Sequence, residues 1–184
     1  MKKMIALLLI IGFTSVTAKA HARGFAIYPM GGYLFYLGGN QQKLDGAPIV
    51  GVRLEYNFSR ENVMAMGLIY EYTRQHIKNF TDSAALEQHF CLLGYRYARN
   101  WRWFNTGVHV GTGAVVREET GSPFEGTDAQ YTVQAGLNAS FRPLDWIDIG
   151  PDFTFMMSTN LNKWIFGGDI SYFFAVGGHV AFYF

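Results

Sequence analysis

One cysteine, Cys91, stands among 184 residues, so no intrachain disulfide can staple the fold. Charge is also scarce. Asp, Glu, Lys and Arg make up 16% of the chain with a formal net charge of +1, and nothing in that balance points to a nucleic-acid partner. Beyond the first residues no run supplies the 18 or more apolar positions of a membrane-spanning helix. Metal-ligand spacing, a phosphate-cradling glycine loop and nucleic-acid signatures are all missing, so the expected cofactor and metal content is none. What is plentiful is glycine, 21 residues, and aromatic side chains, 17% of the chain. Mean hydropathy is nevertheless only +0.05, which suits strands that are greasy on one side.

The N-terminus reads Met1-Lys2-Lys3, then an apolar run from Met4 to Phe13, then small residues ending Ala18-Lys19-Ala20-His21-Ala22. That order is expected of a secretory signal peptide over residues 1–20, cleaved after Ala20 or Ala22. The apolar run is shorter than the roughly 20 residues needed to cross a bilayer, and no cysteine stands at the cleavage site to carry a lipid. Loss of Lys2, Lys3 and Lys19 leaves 12 Lys and Arg against 14 Asp and Glu in residues 21–184, a net charge of −2. That length fits one domain.

The remainder alternates. In its sixth stretch Gln130, Thr132, Gln134, Gly136, Asn138 and Ser140 share one parity, and Tyr131, Val133, Ala135, Leu137, Ala139 and Phe141 the other. Successive strand side chains point to opposite faces, so this is a sheet with one apolar and one polar side. A soluble barrel would crowd Met64, Met66, Leu68, Tyr70 and Tyr72 into a narrow lumen and turn Arg53, Glu55, Asn57, Arg96 and Asp148 out. The reverse arrangement, apolar to lipid and polar to lumen, is that of an outer-membrane barrel. Strands are expected near 25–37, 48–58, 62–74, 87–99, 101–116, 129–142, 145–157 and 168–184. The fold read from this is all-β, an eight-stranded antiparallel up-and-down transmembrane β-barrel, monomeric, in the outer membrane of a Gram-negative cell.

Connections set the expected orientation. Ser59-Arg60-Glu61, Arg99-Asn100 and Pro143-Leu144 read as tight turns, whereas 38–47, 75–86, 117–128 and 158–167 read as longer polar loops. Short turns face the periplasm in such barrels, so both termini are expected there. Parity sends Cys91 to the lipid side as an apolar filler. It leaves the first strand open, because Tyr33, Phe35 and Leu37 compete with Leu34 and Tyr36 for the outer face. Aromatic residues gather at the short turns: Tyr56, Phe58, Tyr95, Tyr97, Trp101, Trp103, Phe141, Trp146, Phe182 and Phe184. A thinner outer belt would hold Tyr36, Tyr72, Tyr131 and Trp164. Trp103 and Trp146 break parity, and either could close the mouth of the lumen.

The last segment, Gly177-Gly178-His179-Val180-Ala181-Phe182-Tyr183-Phe184, is aromatic at its last and third-last positions. In this the chain resembles the small eight-stranded outer-membrane barrels, such as the transmembrane domain of outer-membrane protein A and the OmpX-like proteins. The resemblance implies a fold, a membrane of lipid and lipopolysaccharide, and an assembly route. Periplasmic chaperones and the barrel-assembly machinery would be partners in biogenesis, with Phe182 and Phe184 as the assembly signal. It implies no single activity, since members include anchors, adhesins and lipid A-modifying enzymes.

Parity also sends Arg53, Glu55, Glu71, Arg96, His109, Asp148, Asp152, Asp169 and His179 toward the lumen. A proton or ion path is one reading, and a small channel follows from it. A paired structural core is the stronger one, because an eight-stranded barrel is just wide enough for side chains to fill and buried charges stay ionised only when paired. The 75–90 segment holds His76, Asp82, Ser83, Glu87 and His89, the residue types of a hydrolytic triad. Such residues are equally ordinary in a solvated loop. The His-x-Ser-Asn motif of the lipid A deacylases and the leading amphipathic helix of the lipid A palmitoyltransferase are both absent. The sequence therefore favours a non-enzymatic structural or surface-interaction protein with a packed polar interior; a lipid A or phospholipid hydrolase at the extracellular rim is the alternative. The acidic segment 117–128 could bind a surface partner.

Overall fold

The computed structural model describes residues 24–37, 44–58, 63–78, 84–101, 103–121, 126–159 and 170–184. The expected signal peptide at 1–20, its cleavage site, the Ser59-Arg60-Glu61 turn, Trp164 and Asp169 lie outside them.

Eight strands follow one another in chain order: β1 (Gly24–Leu37), β2 (Ala47–Asn57), β3 (Met64–His76), β4 (Ala85–Asn100), β5 (Phe104–Thr120), β6 (Gly126–Leu144), β7 (Ile147–Thr159) and β8 (Ser171–Tyr183). Each pairs antiparallel with its neighbour, and β8 returns to β1, so the sheet closes on itself. Closure removes the sheet edges that hydrocarbon cannot solvate. The ladder skips where proline lacks an N–H. Between β1 and β8 it passes from Ile27↔Phe182 to Met30↔His179 around Pro29. Between β6 and β7 it passes from Asn138↔Asp152 to Phe141↔Ile149, opposite Pro151, and then shifts by one residue before Leu144. At the seam of first and last strand the Phe184 N–H donates to the Phe25 carbonyl at 2.9 Å. The Phe184 carbonyl comes within 2.0 Å of where a Gly24 Cβ would sit, so only glycine fits there.

The outer face is apolar. Leu68 is 63% exposed and Leu137 59%, and both belong to 28 large hydrophobic side chains exposed among the described residues. So broad an apolar surface is untenable in water and natural in lipid. The ambiguity in β1 resolves cleanly: Tyr33, Phe35 and Leu37 point out, while Leu34 and Tyr36 are buried inside. Tyr36 therefore leaves the outer belt. Trp103 and Trp146 are exposed on the outside and do not close the lumen; Trp146 stacks on Phe182 at 6.5 Å. Cys91 is exposed on the same outer face.

Three connections differ from the sequence expectation. The Arg99-Asn100 pair lies in β4, opposite Thr106 and Asn105 of β5, so the turn follows Asn100. The Pro143-Leu144 pair lies in β6, and the turn falls on Asp145 and Trp146. The segment 117–128 is mostly strand, because β5 runs to Thr120 and β6 begins at Gly126, with Glu119 opposite Gly126.

Candidate functional site: the divided lumen

Inward positions near the short turns carry the charge. Arg53, Glu55, Glu71, Arg96, His109, Asp148, Asp152 and His179 are all buried inside the barrel. Arg96 on β4 donates from Nε to Glu55 Oε2 on β2 at 2.9 Å and from Nη2 to Asn57 Oδ1 at 3.1 Å. Arg53 reaches across to Asp152 on β7 at 3.4 Å and lies 3.7 Å from Glu55. His109 Nε2 on β5 and His179 Nδ1 on β8 each lie 3.7 Å from Asp152, and the Thr154 hydroxyl donates to Asp152 Oδ1 at 3.1 Å. Asp148 is held more fully: Arg142 donates at 2.6 and 2.9 Å, Asn105 at 3.3 Å and the Tyr183 hydroxyl at 2.8 Å.

Aromatic rings join these pairs into a belt. Arg53 and Arg96 stand over the Tyr28 ring at 5.7 and 5.6 Å, and Arg142 over the Tyr183 ring at 5.1 Å. The two tyrosine hydroxyls meet at 3.0 Å. Tyr28 lies on the first strand and Tyr183 on the last, so the belt crosses the closing seam of the barrel. Arg142, Tyr28, Tyr183 and Asn105 were not singled out from the sequence as members. Parity could have found them: Arg142 continues the inward series Asn138, Ser140.

Toward the longer loops the lumen changes character. Leu34, Ile49, Ile69, Phe90, Leu92, Val115, Met156, Phe173 and Ala175 form one apolar cluster, with Tyr36 at its edge. The Phe173 ring meets Tyr36 at 4.8 Å and Phe90 at 6.3 Å, both edge to face. The expectation of a polar interior thus holds near the short turns and again at the loop end, where Thr73, Gln75, Gln88, Thr132 and Ser158 are buried, and is corrected by the apolar cluster between them. Above this plug sits a polar cap. The Gln88 amide accepts from Arg117 Nε at 2.8 Å and donates to the Tyr36 hydroxyl at 3.0 Å, and that hydroxyl donates to Gln75.

The triad candidates do not assemble among the described residues. Asp82 and Ser83 lie outside them. His76 and His89 share the outer faces of β3 and β4, where His89 Nδ1 is 2.8 Å from the Tyr70 hydroxyl and its ring packs on Tyr72 at 5.0 Å. Glu87 pairs with Arg74 at 3.4 Å. No group of three or more His, Cys, Asp and Glu placed to hold a metal together occurs among the described residues.

No protein-family model matches the chain, and no curated protein matches it in sequence. Solved structures do match its shape. Neisserial surface protein A superposes with a TM-score of 0.62 at 10% identity, over 88% of this chain and 97% of that one. The N-terminal β-barrel domain of Pseudomonas aeruginosa OprF gives 0.56 at 12% identity, over 86% and 97%. The outer membrane protein OprG from Pseudomonas aeruginosa gives 0.53 at 12% identity, over 90% and 99%. The shared property is the fold, that of the small eight-stranded outer-membrane barrels.

Proposed function

We propose that the protein is an integral outer-membrane barrel with a structural or surface-interaction role and no enzymatic activity. Its short turns and both termini would be periplasmic. Lipid and lipopolysaccharide would surround its apolar belt, and chaperones and the barrel-assembly machinery would deliver it through the terminal strand bearing Phe182 and Phe184. One observation carries the surface role. Among the described residues β6 runs five residues past its pairing with β7: that pairing starts at Tyr131↔Thr159, whereas Gly126–Gln130 pair only with β5. The described part of this β5–β6 extension exposes Glu118 and Asp128, while Arg117 turns inward to Gln88. A strand edge unpaired among the described residues, with an acidic flank, suits an added strand with basic side chains.

The alternatives have less support. A channel would have to pass the apolar plug, and a rim hydrolase lacks an assembled triad among the described residues. The test combines labelling and chemistry. A tag inserted after Gly121 should be labelled on intact cells and one in Ser59-Arg60-Glu61 should not; the opposite result inverts the orientation. Lipid A profiles by mass spectrometry should be identical with and without the gene, and a gene-dependent loss of an acyl chain would establish the hydrolase instead. Glu118→Lys with Asp128→Lys should weaken capture of a basic extended peptide by the folded protein; unchanged capture would reject the acidic edge.

A further inference from the structure

At the boundary between the charged belt and the apolar plug the wall thins to glycine and leaves a cavity of about 30 Å³. Gly51 makes room for Glu71, whose Cγ lies 2.8 Å from where a Gly51 Cβ would stand. Glu71, Asp152 and Thr154 supply the polar side chains of the lining, and Gly32, Gly51 and Gly177 supply bare backbone. Glu71 is only 5% exposed, and its Oε2 has no hydrogen-bond partner.

Charge counting shows what is missing. On the short-turn side of the plug the described residues bring in the carboxylates of Glu55, Glu71, Asp148 and Asp152 and the guanidinium groups of Arg53, Arg96 and Arg142. Arg96 answers Glu55, Arg142 answers Asp148, and Arg53 is shared between Asp152 and Glu55. Glu71 has beside it only the Arg53 guanidinium, which already serves Asp152 and Glu55, so one negative charge is in excess. A buried carboxylate without its own counter-charge is strongly disfavoured.

We propose that this cavity binds one monovalent, oxygen-seeking cation, sodium or potassium, between Glu71 and Asp152. The donor set fits a hard ion: two carboxylates and a hydroxyl line the space, and no imidazole or thiolate does. The single excess negative charge matches a monovalent ion better than a divalent one. The volume suits one ion or one water, not a hydrated cluster. His109 on β5 and His179 on β8 also lie 3.7 Å from Asp152, with Arg53 bonded to it, so a proton taken up on a histidine or on Glu71 is the competing way to balance the charge.

The test uses the folded barrel in detergent. Thallous ion soaked into crystals should give an anomalous peak between Glu71 and Asp152. The wild-type unfolding midpoint should fall by roughly 3–6 °C when sodium or potassium is replaced by N-methylglucamine at equal ionic strength, as expected for a ligand near saturation. Glu71→Gln, which removes the excess charge, should lose both the peak and the cation dependence. A wild-type midpoint indifferent to the cation, with no thallium peak, overturns the proposal, as does one that responds to pH alone. Cation dependence that survives in Glu71→Gln assigns the ion elsewhere. If Glu71→Gln does not fold, the wild-type thallium and cation-exchange measurements decide.

Discussion

The charged belt and the apolar plug, neighbouring zones of the lumen, fill the same cylinder by opposite means. Near the short turns, directional bonds tie together side chains from seven strands: Tyr28, Glu55, Arg96, Asn105, Arg142, Asp148 and Tyr183. Toward the loops, the Phe90 and Phe173 rings and their aliphatic neighbours fill space without hydrogen bonds. The charged half is intolerant of losing one partner, because the other is stranded. The apolar half degrades in proportion to the volume removed. It also lies between the belt and the longer loops, and we expect it to be the seal across the barrel.

The comparison breaks most sharply at Arg96. Arg96→Ala strands Glu55 and should cost about 3–5 kcal/mol in urea unfolding of the folded barrel. Adding Glu55→Gln should restore part of that loss. A single-variant cost under about 1 kcal/mol would mean that water already enters the belt. Next comes a control on the outer surface: Leu68→Arg should cost roughly 2–4 kcal/mol at a lipid-facing position, whereas Gln134→Ala, which points inward, should be milder. If Leu68→Arg folded normally and Gln134→Ala failed, the assignment of faces would be inverted.

The two halves also separate by conductance. Wild-type protein and Arg96→Ala should both be silent in planar bilayers, and Phe90→Ala combined with Phe173→Ala should be the variant that passes current. Steady conductance in Arg96→Ala alone would place the seal in the belt. The smallest effect is at the seam. Tyr183→Phe keeps the ring beside Arg142 but removes the hydroxyl that Asp148 accepts from, so it should cost about 1 kcal/mol. A loss as large as that of Arg96→Ala would make the belt cooperative across the seam.

Much of this was legible before the structure. Alternation has a strict period of two, so Gln134 and Asn138 could be assigned inward and Leu137 outward from the chain alone. The same parity reaches Arg53, Glu55, Arg96 and Asp148. It carries no polar contrast where both parities are apolar. In Phe90-Cys91-Leu92-Leu93 and Tyr172-Phe173-Phe174-Ala175-Val176 it still sends Cys91 and Tyr172 outward, but the inward Phe90, Leu92 and Phe173 do not stand out from their neighbours, which is why the plug was not visible and the interior was expected to be polar. It fails for a different reason in residues 117–120 and 126–128. A strand that has left the lipid has no apolar face to alternate with, so its composition is that of a loop.

The sequence by itself determined that strands form, how many there are and which face of most of them is apolar, because these depend on neighbours two positions apart. Only the tertiary structure decided which arginine answers which carboxylate. That choice depends on the registers of the hairpins and on closure of β8 against β1, which bring Arg53 to Asp152, 99 positions along the chain. It also decided that Glu71 Oε2 has no hydrogen-bond partner beside a cavity, since neither the count of inward charges nor the space around each one exists until the barrel closes.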